Sequence, residues 1–329
     1  MTDAIIVEHL HKTFKTKVKG GGFAASVRSL FNPEYKTTRA VDNISFRIPR
    51  GQLVGFIGPN GAGKSTTIKM LTGILYPDQH ANLTVSVLGM TPWIERKKLA
   101  YRIGTVFGQR SQLWMHLPPQ DSFDLFAAIY SIPEDTYRKR LKHLVETFEI
   151  QDLLTTPVRK LSLGQRMRCE LVAALLHDPE VLYLDEPSIG LDILAKKALR
   201  DHIKRINAQG VTVLLTSHDL DDIEEVCDRV IIINSGHIVH DSSFDELRKS
   251  YLQKKLITVH KRKQAKRLEL QGVHIAHDDK DVTKLVVDTK VTDIHTVLSA
   301  VAAHYAIDDI EIADPPIEEV IEEIYRRSA

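Results

Sequence analysis

The stretch Gly58-Pro59-Asn60-Gly61-Ala62-Gly63-Lys64-Ser65-Thr66 decides the fold of this chain. It follows the pattern of a glycine, four residues, then glycine, lysine and serine or threonine. The apolar run Leu53–Ile57 before it predicts a buried parallel strand, and residues 67–75 after it predict a helix. Glycines let successive N–H groups turn toward phosphate oxygens, and the following helix directs its positive end to the same place. The stretch therefore predicts a phosphate loop, in which Lys64 reaches the β- and γ-phosphates of a nucleotide and Ser65 holds Mg²⁺.

The composition is that of a globular protein with about two domains. The chain has 329 residues, of which 43% are hydrophobic and 26% charged, and its formal net charge is +1. This balance gives no electrostatic reason to expect a nucleic-acid partner. Cys169 and Cys227 form no metal or disulfide pattern, so we expect a reducing, cytoplasmic compartment. No apolar run has the length of a membrane helix, so we expect a soluble protein that only another chain holds at a membrane.

Short strands alternate with helices over most of the chain. Strands are predicted over residues 5–10, 41–48, 82–88, 103–107, 181–184, 211–216 and 230–233. Helices are predicted over 193–208 and 220–227, and a helical subdomain over about 118–178. The alternation predicts an α/β fold with a mainly parallel sheet.

Two segments depart from this alternation. Residues 15–38 form a lysine-rich insert with three consecutive glycines. It is either an ordinary surface loop or a small amphipathic element that contacts a partner or lipid. Residues 251–329 contain short strands and helices without a catalytic constellation, which predicts an accessory α+β domain after a first domain over residues 1–250.

A second chemical signal is the run Val181–Pro187, in which a buried strand ends in Asp185 and Glu186. Asp185 is placed to hold Mg²⁺ through its water shell, and Glu186 is placed to polarise an attacking water. Carboxylates at a strand end can also simply cap the next helix. The phosphate loop on the same chain favours the catalytic interpretation.

A third signal is the run Leu161–Gln165, which opens a helix predicted over residues 166–176. Ser162 and Gly164 at a helix N-terminus make a second anion site from a hydroxyl, an N–H group and the helix dipole. One nucleotide needs a single phosphate loop. The second anion site therefore suggests that another copy of the chain supplies it in trans.

In this order the motifs resemble those of the ATP-binding cassette (ABC) ATPases, over roughly residues 5–245. The resemblance implies a P-loop NTPase with a RecA-like core, an antiparallel β subdomain and a helical subdomain. It identifies Gly58–Thr66 as Walker A and Leu161–Gln165 as the signature. Asp185 and Glu186 then match the end of Walker B and the catalytic glutamate.

The resemblance assigns three further residues, each of which alone would have an ordinary structural explanation. Gln109 is similar to the Q-loop glutamine, a contact to Mg²⁺ and water. Asp192 ends a segment similar to the D-loop, and it would act in trans together with Ser162–Gln165. His218 is similar to the switch histidine, which contacts the γ-phosphate.

Two features depart from the pattern of the family. The third signature residue is Leu163 instead of glycine, but Ser162 and Gly164 are the positions that face phosphate, so we expect activity to be retained. The aromatic residue that stacks on adenine is Tyr35 by its spacing from the phosphate loop, or Phe14 by its position after the first strand. Tyr35 is the preferred candidate.

The segments Phe107–Trp114, Glu186–Asp192 and Pro316–Ile321 are similar to those of ATP-binding subunits of type-2 ABC exporters, especially the viologen and drug-export branch. This implies an ATPase that uses ATP and Mg²⁺ between two cassettes, most simply a homodimer, at the cytoplasmic face of the cell membrane. Separate membrane permease subunits would be its partners. Trp114, close to Gln109, is either an anchor for the permease or a core residue. A soluble ATPase that acts on ribosomes or DNA, and the cassette of an importer, are the alternatives.

Overall fold

The computed structural model describes residues 2–17, 35–108, 110–217, 220–251, 254–261, 268, 270–314, 320–321 and 324–326. Gln109, His218 and residues 18–34 of the predicted insert lie outside these ranges. The chain divides into two compact units, residues 1–241 and residues 242–328. A separate accessory role for residues 251–329 stays a prediction.

The described residues form strands and helices in the following order. The strands are β1 Asp3–Lys17, β2 Tyr35–Pro49, β3 Leu53–Ile57, β4 Thr84–Val87, β5 Ile103–Phe107, β6 Val181–Asp185, β7 Thr212–Thr216, β8 Arg229–Asn234, β9 His237–Ser243, β10 Lys254–Lys261, β11 Val273–Asp278, β12 Val282–Asp288 and β13 Ile307–Ala313. The helices are α1 Lys64–Leu71, α2 Arg96–Ala100, α3 Pro119–Ile129, α4 Glu134–Phe148, α5 Leu163–Leu175, α6 Ile193–Ala208, α7 Leu220–Val226, α8 Phe244–Tyr251 and α9 Ile294–His304.

A six-stranded sheet forms the centre of the first unit, in the order β5-β6-β7-β3-β8-β9. The five strands from β5 to β8 in this order are parallel. Every residue of β3 is buried, as expected for a parallel strand that is covered on both faces. Since β3 lies between β7 and β8, the phosphate loop leaves the sheet near its middle, beside the ends of two other strands.

A second, antiparallel sheet has the order β2-β1-β4 and matches the predicted antiparallel β subdomain. The pairing of β1 with β2 continues to Lys17 opposite Tyr35. Residues 15–17 and 35–38, which the sequence placed in a loop-like insert, are therefore strand residues, while the insert itself stays a prediction. Residues 15–16 and 36–38 are exposed and polar, so they lack the apolar alternation that identifies a half-buried strand.

The predicted helical subdomain, about residues 118–178, follows β5 and contains α3, α4 and α5. Helix α5 contacts α3, α4 and β5. Its apolar residues are buried on several sides, including Leu171 and Val172 at 0% exposure. Helix α5 therefore connects the helical subdomain to the central sheet. The parallel central sheet, the antiparallel sheet and the helical subdomain together agree with the predicted fold class.

The second unit contains a four-stranded antiparallel sheet in the order β11-β12-β10-β13. Its own apolar core includes Ile257 and Val259 of β10, Leu285 of β12, and Val297 and Val301 of α9. In both units, none of the described helices is long and apolar enough to cross a membrane.

Candidate active site

The phosphate loop connects the carboxyl end of β3 to α1, and its shape requires glycine. Gly63 has φ +113°, and a Cβ there would lie 2.4 Å from the carbonyl oxygen of Ala40. Gly63 is also the N-cap of α1, so no side chain caps this helix, and its first turn has no acidic residue. The N–H groups of that turn have no partner within the helix and are suited to bind phosphate oxygens.

These residues surround a pocket of about 300 Å³, here called the phosphate pocket. Its lining residues are Asn60, Gly61, Ala62, Gly63, Lys64, Ser65, Thr66, Glu186 and Ile189. Gly58 and Pro59 contribute through their carbonyl oxygens, which accept hydrogen bonds from the Lys64 ammonium at 2.6 and 3.4 Å. The fold thus brings the glycine loop and the predicted catalytic glutamate to one cavity. Ile189, which also lines it, belongs to the segment that is similar to the D-loop but was not among the predicted site residues.

Lys64 is held in a position that suits a polyphosphate. Its side chain is 7% exposed, and its Nζ lies 3.7 Å from Oε1 of Glu186. A buried ammonium is stable only when it is paired or hydrogen-bonded, so the pocket presents a fixed positive charge. A nucleotide phosphate that enters the pocket would find this charge already oriented.

Asp185 and Glu186 lie at the end of β6, beside the end of β7. The Thr216 hydroxyl donates to Oδ1 of Asp185 at 2.7 Å and accepts from the N–H of Glu186 at 3.0 Å. Glu186 has φ +57°, a left-handed conformation that glutamate rarely adopts. Thr216 was missed in the sequence, although its place at the end of a neighbouring parallel strand could have indicated it. It fixes both carboxylate residues at the edge of the sheet.

The end of β5 is fixed to the same edge. The N–H of Gly108 donates to the carbonyl oxygen of Asp185 at 2.8 Å. A Cβ on Gly108 would lie 2.1 Å from the carbonyl oxygen of Glu186, so only glycine allows this approach. Gln109 and His218 lie outside the described residues, and their predicted contacts stay predictions.

The signature and D-loop residues share a second cavity of about 370 Å³, here called the signature pocket. Its lining residues are Ser162, Gly164, Gln165, Met167, Arg168, Leu191, Asp192, Leu194, Ala195, Ala198 and Leu199. Ser162 and Gln165 cap α5 reciprocally: Oγ of Ser162 accepts from the Gln165 N–H at 3.2 Å, and Oε1 of Gln165 accepts from the Ser162 N–H at 2.9 Å. Asp192 caps α6 through the N–H of Ala195 at 2.8 Å. Two helix N-termini therefore border one cavity.

Leu163 does not line the signature pocket. Its Cδ2 lies 2.9 Å from the place that a Cβ on Gly190 would occupy, and Gly190 has φ +73°. Leu163 thus packs against the D-loop of its own chain. A Cβ on Gly164 would come within 2.9 Å of Cβ of Ala195, so glycine is needed there. The replacement of the usual glycine by Leu163 leaves Ser162 and Gly164 at the pocket.

Neither candidate for adenine stacking lines the phosphate pocket. Tyr35 is 59% exposed at the start of β2, and Phe14 is 39% exposed and pairs with Thr38. The part of β2 that approaches the phosphate loop is Ala40. At about 3.3 Å per residue along a strand, Tyr35 is roughly 17 Å from Ala40 and Thr38 roughly 7 Å. Phe14 therefore lies closer along the strand to the loop.

The donor atoms present fit Mg²⁺ bound together with a nucleotide. Ser65 supplies a hydroxyl and Asp185 a carboxylate, which are the oxygen ligands that Mg²⁺ prefers. Among the residues that the structure describes, no group of three or more His, Cys, Asp or Glu side chains could hold a metal ion alone. Mg²⁺ sites built from one or two protein oxygens and substrate phosphates need no such group.

Known proteins share this architecture. Residues 41–189 match the family model described as ABC transporter. The chain is 30% identical to the ABC transporter ATP-binding protein NatA of Bacillus subtilis (strain 168), over 67% of this chain and 88% of NatA. It is 31% identical to the daunorubicin/doxorubicin resistance ATP-binding protein DrrA of Streptomyces peucetius, over 87% of this chain and 88% of DrrA. The solved structure of an ATP-binding subunit of an ABC transporter covers 75% of this chain and 93% of its own, with a TM-score of 0.61 and 27% identity.

Proposed function

This chain belongs to the family of ABC transporter ATP-binding proteins, and we propose that it hydrolyses ATP between two copies of itself to drive a separate membrane permease. It is an ATPase of the ABC type. The proposal goes further by assigning its assembly, its partner and the roles of its residues.

The observation that carries the proposal is the division of the site into two pockets with no lining residue in common. The phosphate pocket contains Lys64 and Glu186, whereas the signature pocket offers two helix N-termini without a phosphate loop. A twofold axis would place the signature pocket of each copy over the phosphate pocket of the other. Leu194, which lines the signature pocket, is 80% exposed, and an exposed leucine at a cavity suits a surface that another molecule covers.

The proposed reaction depends on positioning more than on covalent chemistry. Lys64 and the N–H groups at the start of α1 bind the β- and γ-phosphates. Ser162 and Gly164 of the second copy close over the γ-phosphate, and Glu186 polarises the attacking water. Ser65 and Asp185 would hold Mg²⁺, which would supply positive charge against the phosphates.

Gln109 and His218 complete the proposed site. Gln109 would contact Mg²⁺ and water, and His218 would stabilise the charge that develops on the γ-phosphate. Both assignments rest on the order of motifs along the chain. Gly108, which is bonded to Asp185, brings the chain to the site at the position before Gln109.

An export-type permease is the proposed partner, at the cytoplasmic face of the membrane. DrrA, a drug-resistance ATP-binding protein, aligns with 87% of this chain, which extends well beyond the first unit. Trp114, Met115 and Leu117 are 49%, 36% and 37% exposed, so the segment after β5 presents a half-exposed apolar surface. We assign this surface to the permease and residues 251–329 to an accessory domain. Co-purification of the tagged chain with a polytopic protein encoded beside it tests the assignment of the permease.

The dependence of ATP hydrolysis on chain concentration tests the shared site. If two copies form it, the rate per chain falls on dilution below the dimer dissociation constant, and light scattering shows an ATP-dependent dimer. A rate per chain that stays constant while the protein is monomeric would contradict the proposal. In that contradicting case, the total rate of ATP hydrolysis rises in direct proportion to the chain concentration.

A further inference from the structure

A buried carboxylate joins the signature helix to the segment that follows Gln109. Glu170 lies on α5, eight residues after Ser162, and is 4% exposed. It accepts a short hydrogen bond from the Ser111 hydroxyl and a second, at 3.2 Å, from the N–H of Gln112. The Gln112 side-chain amide donates to the carbonyl oxygen of Glu170 at 3.2 Å. Side chain and backbone of one helical residue therefore hold the Ser111–Leu113 segment.

This arrangement is costly unless every bond is made. Burial raises the pKa of the Glu170 carboxyl, and the hydrogen bonds from Ser111, Gln112 and Leu113 offset only part of that rise. An apolar residue on the same face of α5 would be buried without that penalty. The presence of a carboxylate here is explained by its hydrogen bonds to Ser111 and Gln112.

Residues 115–117, which follow the Ser111–Leu113 segment, are also hydrogen-bonded to the chain that leads into α5. The N–H groups of Val158 and Arg159 donate to the carbonyl oxygens of Leu117 and Met115 at 3.0 and 2.9 Å. The two ends of residues 111–117 are thus attached to the signature region. The half-exposed Trp114 lies between these two ends.

We propose that Glu170 is a positioning residue that makes the Ser111–Leu113 segment and the Ser162 end of α5 move as one body. The proposal rests on the proposed function, because that function gives Ser162 its role at the γ-phosphate of the other copy. Eight residues of α-helix span about 12 Å, so a displacement at Glu170 reaches Ser162 along a stiff element. At its other end the segment leads back to Gly108, which is bonded to Asp185. Glu170 therefore sets the position of the signature residues relative to the catalytic strand end.

The test is E170Q in the full chain. E146Q on α4 is the matched control, because it is the same substitution at an exposed position. The glutamine amide has the size of the Glu170 carboxylate, but its NH₂ group faces the Ser111 hydroxyl or the Gln112 N–H, which are donors themselves. We expect kcat for ATP to fall about 10-fold or more, because small misplacements of reacting groups cost up to about 100-fold. KM should change little, the thermal midpoint should fall by about 2 to 4 °C because a buried hydrogen bond is lost, and E146Q should behave as the wild type.

A double-mutant cycle tells positioning from general loss of structure. If Glu170 acts through Ser111, E170Q combined with S111A loses no more kcat than E170Q alone. Amide hydrogen exchange of residues 111–113, measured without nucleotide, should be faster in E170Q than in the wild type and E146Q. If E170Q fails to fold, S111A alone must lower kcat at a temperature at which its melting curve shows it fully folded.

The inference is overturned if folded E170Q keeps kcat within about twofold of the wild type. It is also overturned if the losses from E170Q and S111A simply add, or if S111A leaves kcat unchanged. Failure of the proposed function looks different: the wild type itself would not hydrolyse ATP. The hydrogen-exchange comparison is independent of that outcome.

Discussion

The phosphate pocket and the signature pocket have similar volumes, about 300 and 370 Å³, but they use their polar groups differently. In the phosphate pocket, the Lys64 ammonium contacts the carbonyl of Gly58 and the carboxylate of Glu186. In the signature pocket, Ser162 and Asp192 each bond to the first turn of their own helix. The first cavity has the Lys64 and Glu186 pair beside a glycine loop. The second, which Arg168 and Asp192 also line, has the N-termini of two helices and, among its described lining residues, no glycine loop.

This difference gives a reason for the two anion sites that the sequence predicts on one chain. The phosphate pocket alone has a lysine and a glycine loop that match a triphosphate, so it can bind nucleotide by itself. The signature pocket is bordered by apolar residues such as Leu191 and Leu199, and in the proposed dimer it would add dipoles and a hydroxyl to charge that is already bound. We therefore expect damage to either pocket to inactivate a dimer of identical variants, and a copy damaged in one pocket to form an active site with a copy damaged in the other.

The largest effect is expected for E186Q. The amide cannot accept a proton from the attacking water, so hydrolysis should fall by about 100- to 10,000-fold. ATP binding should persist because Lys64 and the glycine loop are unchanged. Phosphate release and size-exclusion chromatography measure this, and the variant should accumulate as an ATP-bound dimer. Normal turnover would remove Glu186 from the reaction and leave the phosphate pocket as a binding site only.

The next test separates the two pockets by mixing variants. K64A loses a buried charge and should bind ATP about 100-fold more weakly or worse. S162D keeps the cap of α5, since Asp caps helices as well as Ser, but places a negative charge toward phosphate. Each variant alone should be nearly inactive. A mixture should recover up to about a quarter of the wild-type rate, because half of the random dimers contain one intact site.

S162N is the matched control for this experiment, because Asn also caps helices but adds no charge. It should be more active than S162D. Thermal melting of all variants checks that α5 is preserved. If mixed dimers form and no activity returns at any ratio, Ser162 does not act on the nucleotide of the other copy, and the proposed division between the pockets fails.

Sequence predicted the elements whose residues are buried by the sheet itself. β3 and β5 were predicted with their observed bounds, because apolar runs of this length between turn signals are typical of buried strands and too short for a helix. Helix α6 was also predicted with its observed bounds from its apolar periodicity. The motifs placed Lys64 and Glu186 in one site because the carboxyl ends of parallel strands share an edge of the sheet.

Other features needed the folded chain. Helices α1 and α5 begin three residues earlier than predicted, at Lys64 and Leu163, because glycine- and serine-rich motifs form their first turns and hide the apolar period there. Glu170 looks like an ordinary exposed helix residue in the sequence. Only its distant partners Ser111 and Gln112 show that it is buried and bonded. Thr216 likewise gains its role from a strand that is remote in sequence.

The smallest predicted effect concerns the residue that stacks on adenine, and it reverses the preference drawn from spacing. The close approach of Ala40 to Gly63 places Phe14 nearer to the phosphate loop along the β1–β2 hairpin than Tyr35. We therefore expect F14A to weaken ATP binding by about 1 kcal/mol, or roughly fivefold. If only stacking is lost, the ratio of the GTP and ATP dissociation constants should change little. Y35A is the matched control, because it truncates an exposed aromatic residue on the same hairpin and should leave the ATP dissociation constant unchanged. Calorimetric titration of both variants decides the matter: weaker binding in Y35A with normal binding in F14A would restore Tyr35 as the adenine contact.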